Sequence, residues 1–157
     1  MTDPADEPVG LQRVRELVAG TRPLPGMWRT LGLRPVAADP GRARVEVVPG
    51  ERHHNGSAMV HGGLIAALID SAAGAAMATT LPAGQRVATV DLKVDYLRPA
   101  PVAGGALVAA AEVTHAGRMV GHASARVTTR DGRLIATGRA VFAVAPVTAD
   151  RPGLLAE

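Results

Sequence analysis

The chain has 157 residues, 47% hydrophobic and 20% charged, with no cysteine. That is one domain's length with apolar content enough for a core, and it excludes disulfides and thiolate metal sites. The net charge is +3, Lys93 is the only lysine, and Trp28, Tyr96 and Phe142 are the only aromatics. The arginines are scattered, so the basic stripe with interleaved aromatics of a nucleic-acid binder is missing.

Residues 1–8 are acidic and proline-bearing and do not read as a secretory leader. With no cysteine to protect, the expected location is cytoplasmic. Residues 9–19 have helical spacing, with Leu11, Val14, Leu17 and Val18 on one face. Gly20 and Pro23 end that helix, and 23–26 reads as a turn. Two strands follow, 31–38 and 42–48, joined by the turn Asp39-Pro40-Gly41. Residues 51–60 form a polar loop.

Residues 61–81 read as the longest helix, opened by Gly62 and Gly63 and closed by Pro82. The segment has low charge and a length that could cross a bilayer. Asp70 near its middle is expensive in lipid, however, so a buried helix in a soluble protein is expected and no membrane partner. The remainder reads as β: strands 86–97, 106–115, 119–129 and 134–144, with Asp131-Gly132 as a hairpin turn. In 86–97, strict alternation puts Val87, Thr89, Asp91, Lys93, Asp95 and Leu97 on one face. It puts Ala88, Val90, Leu92, Val94 and Tyr96 on the other. The tail after Pro146 is expected to be loose.

The order is short helix, two strands, long helix, four strands. A helix that is apolar nearly all round must be surrounded, and one sheet wrapped about it does so economically. The open sheet face and unpaired edges that remain predict self-association. The chain divides into a lead-in at 1–30, one domain at 31–145, and the tail at 146–157.

Between His53 and Gln85 the only formal charge is Asp70. Isolated acids in apolar helices are rare unless paired or useful. Ala66, Ala67, Ala73 and Gly74, one turn away, leave room for water or substrate. The N–H groups at Gly62 and Gly63 open the helix, where orphan donors carry positive partial charge and can hold an oxyanion. Asp70 lies about 10–12 Å further along. One copy of the helix cannot place both groups on one carbonyl, but two antiparallel copies can, which predicts a site shared across a dimer. Asn55 precedes the helix and can hold a water or a carbonyl. His53, His54 and His61 together with Asp70 permit a metal reading, but their spacing fits no zinc pattern, so no metal is expected.

The run from His53 to Gly63, followed by Asp70 and Gly74, resembles the signature of the PaaI-like hotdog thioesterases. That pattern is an Asn, a His-Gly-Gly six residues later, and an Asp nine residues after the His. The resemblance continues through 87–100, Gly117-Arg118 and 131–136, and spans roughly 31–144. It implies an α+β hotdog fold, a curved antiparallel sheet wrapped around a long central helix. It also implies a homodimer, often paired again into a tetramer, and acyl-CoA as substrate with no separate cofactor. On this likeness the Gly62 N–H binds the thioester oxygen. Asp70 acts from the facing subunit as base or nucleophile, Asn55 orients water or substrate, and Thr89 assists the carboxylate. His61 supports the loop or the leaving thiolate. By residue chemistry alone, Gly63 lets substrate approach closely, and Arg98 and Arg118 either meet CoA phosphates or are solvated surface charges. One departure is Ala58, where the family usually has glycine. The alternatives on the same fold are a non-catalytic acyl-CoA binder and a hydratase or dehydratase.

Overall fold

The computed structural model describes residues 7–148. Helix α1 covers Val9–Ala19 and α2 Gly26–Leu31, followed by strands β1 (Arg34–Asp39) and β2 (Arg42–Val47). After a short 3-10 turn at Glu51–His53 comes α3, Gly62–Ala78. Strands β3 (Gln85–Tyr96), β4 (Leu107–Ala116), β5 (Val120–Thr129) and β6 (Leu134–Pro146) complete the chain, with a second 3-10 turn at Val102–Gly104. The six strands form one antiparallel sheet in the order β1-β2-β4-β5-β6-β3. This is the hotdog fold: the curved sheet wraps α3, which packs against all six strands.

The wrapping follows from composition. Leu64, Ile65, Leu68, Ile69, Ala72, Ala76 and Met77 of α3 are buried. They meet Val45, Leu107, Val127, Ala140 and Phe142 from the sheet, so the apolar surface of both layers leaves water together. The sheet approaches α3 closely at Gly138, where an added Cβ would lie 2.8 Å from Ile69 Cγ2. The end of α3 is fixed by Thr79, which is fully buried. Its hydroxyl donates to the Ala76 carbonyl at 2.6 Å and accepts from the Gly41 N–H at 2.8 Å. The β1–β2 turn and the helix end are thus one unit.

Two expectations are corrected. The stretch 23–33 is not a turn running into a strand. Pro25, read as part of a turn, sits at the N-cap of α2, and Gly32, read as part of a strand, is the left-handed C-cap of this six-residue helix. Its anchor is Trp28, which is buried in the core. The second correction lies in β3. The register against β6 slips between Thr89 and Asp91, a bulge that leaves Val90 unpaired and 63% exposed. One extra residue reverses the faces beyond it. Val87 packs on the core before the bulge and Leu92 and Val94 after it, so strict alternation fails along this strand.

The tail expected to be loose lies beyond the described residues, except that β6 runs to Pro146 and the Val147 N–H donates to the Gly84 carbonyl at 2.8 Å. Among the described residues no helix is long and apolar enough to cross a membrane.

Candidate active site

One strip of α3 is not covered by the sheet. Ala66, Ala67, Asp70, Ser71 and Gly74 are all half-exposed along it. Asp70 is held from β3: the Thr89 hydroxyl donates to Asp70 Oδ1 at 2.8 Å. The bulge at Val90 follows immediately, so Thr89 and Tyr96 both face the helix although seven positions separate them. The Tyr96 hydroxyl donates to the Gly62 carbonyl at 2.8 Å, and its ring lies 3.3 Å from where a Cβ on Gly62 would stand. One strand therefore braces both the carboxylate and the helix start. Alternation placed Tyr96 away from Thr89, and only the bulge could have revealed its role.

The helix start has a defined donor. His61 is the N-cap of α3, and its Nδ1 accepts from the Gly63 N–H at 2.8 Å. The Leu64 N–H donates to the His61 carbonyl. Among the described residues the Gly62 N–H is left without an acceptor, and an orphan helix N–H of this kind suits a developing oxyanion. Gly63, expected to meet substrate, spends its N–H on His61.

Asn55 accepts from the Ser57 N–H at 2.9 Å through Oδ1, and its own N–H donates to the Met59 carbonyl at 2.8 Å. The side-chain amide NH2 is open. In the same loop Ala58 has φ 59°, a left-handed conformation that costs a non-glycine residue about 1 kcal/mol. The family's usual glycine there thus has a physical reason, and this chain adopts the glycine conformation without the glycine. Ala58→Gly is expected to raise the stability by about 1 kcal/mol, a few degrees in Tm by thermal melting. An unchanged or lowered Tm would show that the loop relaxes to a different φ.

The histidines serve the backbone. His53 Nδ1 accepts from the Gly50 N–H and His54 Nδ1 from the Gly56 N–H, both at 2.9 Å, as His61 does from Gly63. Burial first, and then the neighbouring Arg52, holds the His53 imidazole below its ordinary pKa. Among the described residues no group of three or more His, Asp or Glu side chains is placed to hold a metal ion. Arg98 donates to the Leu134 carbonyl at 3.0 Å, and Arg118 is exposed in the turn between β4 and β5.

A cavity of about 340 Å³ opens beside Asp70, lined also by Trp28, Gly74, Leu81, Thr89 and Phe142. Neither Arg98 nor Arg118 reaches it. Its outer wall comes from α1 and α2, elements that the sequence reading treated as lead-in. Gly10 makes this possible. Its N–H donates to the Leu81 carbonyl at 3.1 Å, and an added Cβ would fall 1.9 Å from the Ala78 carbonyl oxygen.

Residues 58–136 match the thioesterase superfamily. This chain belongs to that superfamily. A candidate esterase of Halobacterium salinarum is 38% identical over 130 residues, 76% of this chain and 84% of the relative. Human acyl-coenzyme A thioesterase 13 is 32% identical over 130 residues, 82% of this chain and 91% of that protein. The PaaI protein of the Escherichia coli phenylacetic acid degradation operon superposes with a TM-score of 0.74 over 88% of this chain and 96% of its own, at 22% identity, a likeness of fold. The chain is thus a hotdog-fold member of the thioesterase superfamily, and its reaction class is thioester hydrolysis.

Proposed function

We propose that this superfamily member hydrolyses acyl-CoA thioesters in a site shared by two subunits. The observation that carries the reading is the separation of its two reactive groups. Asp70 with Thr89 and the open Gly62 N–H are eight residues apart on one rigid helix, about 12 Å. The carbon and oxygen of a thioester carbonyl are adjacent atoms and cannot bridge that gap. A second copy, running antiparallel, brings its Gly62 to the first copy's Asp70. The free edge of β3 suits this association: it is 12 residues long, and Val90 and Tyr96 on it, with Leu97 just beyond it, are large exposed apolar side chains. Pairing two such edges satisfies their backbone groups and covers those side chains.

In the proposed reaction the thioester oxygen accepts from one subunit's Gly62 N–H. Thr89 occupies Oδ1 of the other subunit's Asp70, and Oδ2 takes a proton from a water, whose oxygen adds to the thioester carbon. The tetrahedral intermediate then collapses. The C–S bond breaks, the sulfur leaves with the electron pair, and Asp70 returns its proton to it. Asn55, through its open amide, holds the water or the carbonyl, and no cofactor is needed. The human relative's name, an acyl-coenzyme A thioesterase, supports CoA as the leaving group.

Subunit mixing tests the shared site. Asp70→Asn and Gly62→Val homodimers are each expected to be nearly inactive. Unfolded and refolded together, half of the dimers are hybrids with one intact site of two, so thiol release is expected to return to about a quarter of the parent rate. A mixture no more active than its two components would place both groups in one subunit's site.

A further inference from the structure

Gly62 and Gly63 open α3, and Gly74 is the one glycine inside it. A glycine weakens a helix interior, and a fold keeps one there where a neighbour needs the space of the missing Cβ. Gly10 and Gly138 have that reason: an added Cβ would stand 1.9 Å from the Ala78 carbonyl oxygen and 2.8 Å from Ile69 Cγ2, respectively. Gly74 does not. Its φ is not positive, and an added Cβ would meet only Phe142 Cε1, at 3.7 Å, an ordinary contact. The space over Gly74 belongs to the cavity beside Asp70.

Gly74 is four residues beyond Asp70 and on the same helix face, about 6 Å along the axis. Ala78 follows after four more, at about 12 Å. Along this path Ala75 and Ala78 of α3, Val87 of β3, Phe142 of β6 and Trp28 of α2 wall the cavity, none of them charged. Val87 shares its strand face with Thr89, because the register is unbroken over 85–89. The far end lies where α1 crosses α3. Gly10 and Leu81 line the cavity there, and the Gly10 N–H donates to the Leu81 carbonyl at 3.1 Å. The carboxylate therefore stands at one end, a bare glycine at the middle and a helix crossing at the other end.

We propose that Gly74 is the specificity-determining residue of this site, and that it admits an unbranched aliphatic acyl chain of about eight to ten carbons. The chain runs from Asp70 over Gly74 and ends under α1. The inference rests on the thioester-hydrolysing role proposed above and names its substrate class. An extended chain advances about 1.3 Å per carbon, so a path of about 12 Å takes about nine. Each methylene that enters the apolar stretch leaves water and adds affinity, until the α1 crossing stops the chain. A phenylacetyl group reaches only a little past Gly74 and leaves the far apolar wall uncovered. A side chain at position 74 stands in the path of the long chain and beyond the reach of a short one.

The test is binding of non-hydrolysable CoA thioethers to the full chain by titration calorimetry, with butyl-, octyl-, tetradecyl- and 2-phenylethyl-CoA as the probes. Octyl-CoA is expected to bind at least about tenfold more tightly than butyl-CoA or phenylethyl-CoA. Tetradecyl-CoA is expected to bind no more tightly than octyl-CoA. In Gly74→Leu the octyl-to-butyl ratio falls toward one, and in Gly74→Ala it lies between. Gly74→Ala is expected to melt at or above the parent temperature, because alanine favours the helix. A parent that binds butyl- and octyl-CoA alike, prefers phenylethyl-CoA, or gains again with tetradecyl-CoA overturns the proposal. So does a Gly74→Leu variant that weakens butyl- and octyl-CoA equally. A Gly74→Ala variant that melts lower, or either variant running as a monomer in size-exclusion where the parent is a dimer, overturns it too, since the glycine would then serve packing. Thiol release from butyryl-CoA and octanoyl-CoA is read separately. Its absence from both sinks the hydrolytic reading while the affinity series still decides this one.

Discussion

Asp70→Asn is expected to lower thiol release from acyl-CoA by roughly a hundredfold to ten-thousandfold, the usual contribution of a positioned general base. The substitution keeps the shape of the side chain and leaves an oxygen to accept from Thr89, the contact now made at 2.8 Å. Only the ability to take a proton is lost. The loss is therefore expected in kcat, and the melting temperature is expected to hold within a few degrees. Stopped assays of thiol release over a range of acyl-CoA concentrations, beside thermal melts, separate the two effects. A variant that is stable and within about threefold of the parent kcat would remove Asp70 from the chemistry. The role of the residue would then be structural, as a side chain tying α3 to β3.

The second large effect is on stability and comes from a residue far from the reacting atoms. Gly10→Ala is expected to cost about 2–4 kcal/mol. The added methyl would stand 1.9 Å from the Ala78 carbonyl oxygen and 3.1 Å from the Leu81 carbonyl oxygen. Both are backbone atoms, so no side chain can rotate away. Relief requires α1 to lift off the end of α3, breaking the bond from the Gly10 N–H to Leu81 and exposing Leu11, Val14 and Leu17, which are buried now. The same movement opens the wall of the cavity beside Asp70, so KM for acyl-CoA is expected to rise along with the loss of stability. Urea unfolding and hydrogen exchange over α1 measure it. Melting within a degree of the parent, with α1 still protected, would mean that the crossing is looser than this geometry requires.

Much of the molecule was legible in the chain itself. The long apolar run from Gly62 with one acid inside it predicted a buried helix with a marked carboxylate, and α3 has that form. Periods near two with Asp-Gly and Pro-Gly punctuation located five of the six strands to within about two residues. The spacing of Asn55, His61 and Asp70 pointed to a hotdog thioesterase, and the superfamily match over 58–136 agrees. These features are legible because burial and turn chemistry are written in local residue types.

Other features needed the tertiary structure. α2 was hidden because Pro23, Pro25 and Gly26 are as common in turns as at a helix start. What makes it a helix is Trp28, whose burial depends on the core beneath it. That the Gly63 N–H is taken by His61 Nδ1 could not be read from the sequence either, because it depends on how the His61 ring turns at the helix start. The lead-in at 1–30 gave no sign that Gly10 and Trp28 would wall the cavity, because that wall forms only when α1 crosses α3. The clearest case is the bulge at Val90. Nothing local in β3 announces an extra residue, since the strand alternates well on either side of it. Only pairing with β6 and the apolar demand of α3 select the register that turns Thr89 to Asp70 and Tyr96 to Gly62. The sequence by itself thus determined which residues are apolar, where the chain turns and which acid stands alone. The tertiary structure decided which side chains share a face, because in a strand a single slipped residue reverses every neighbour beyond it.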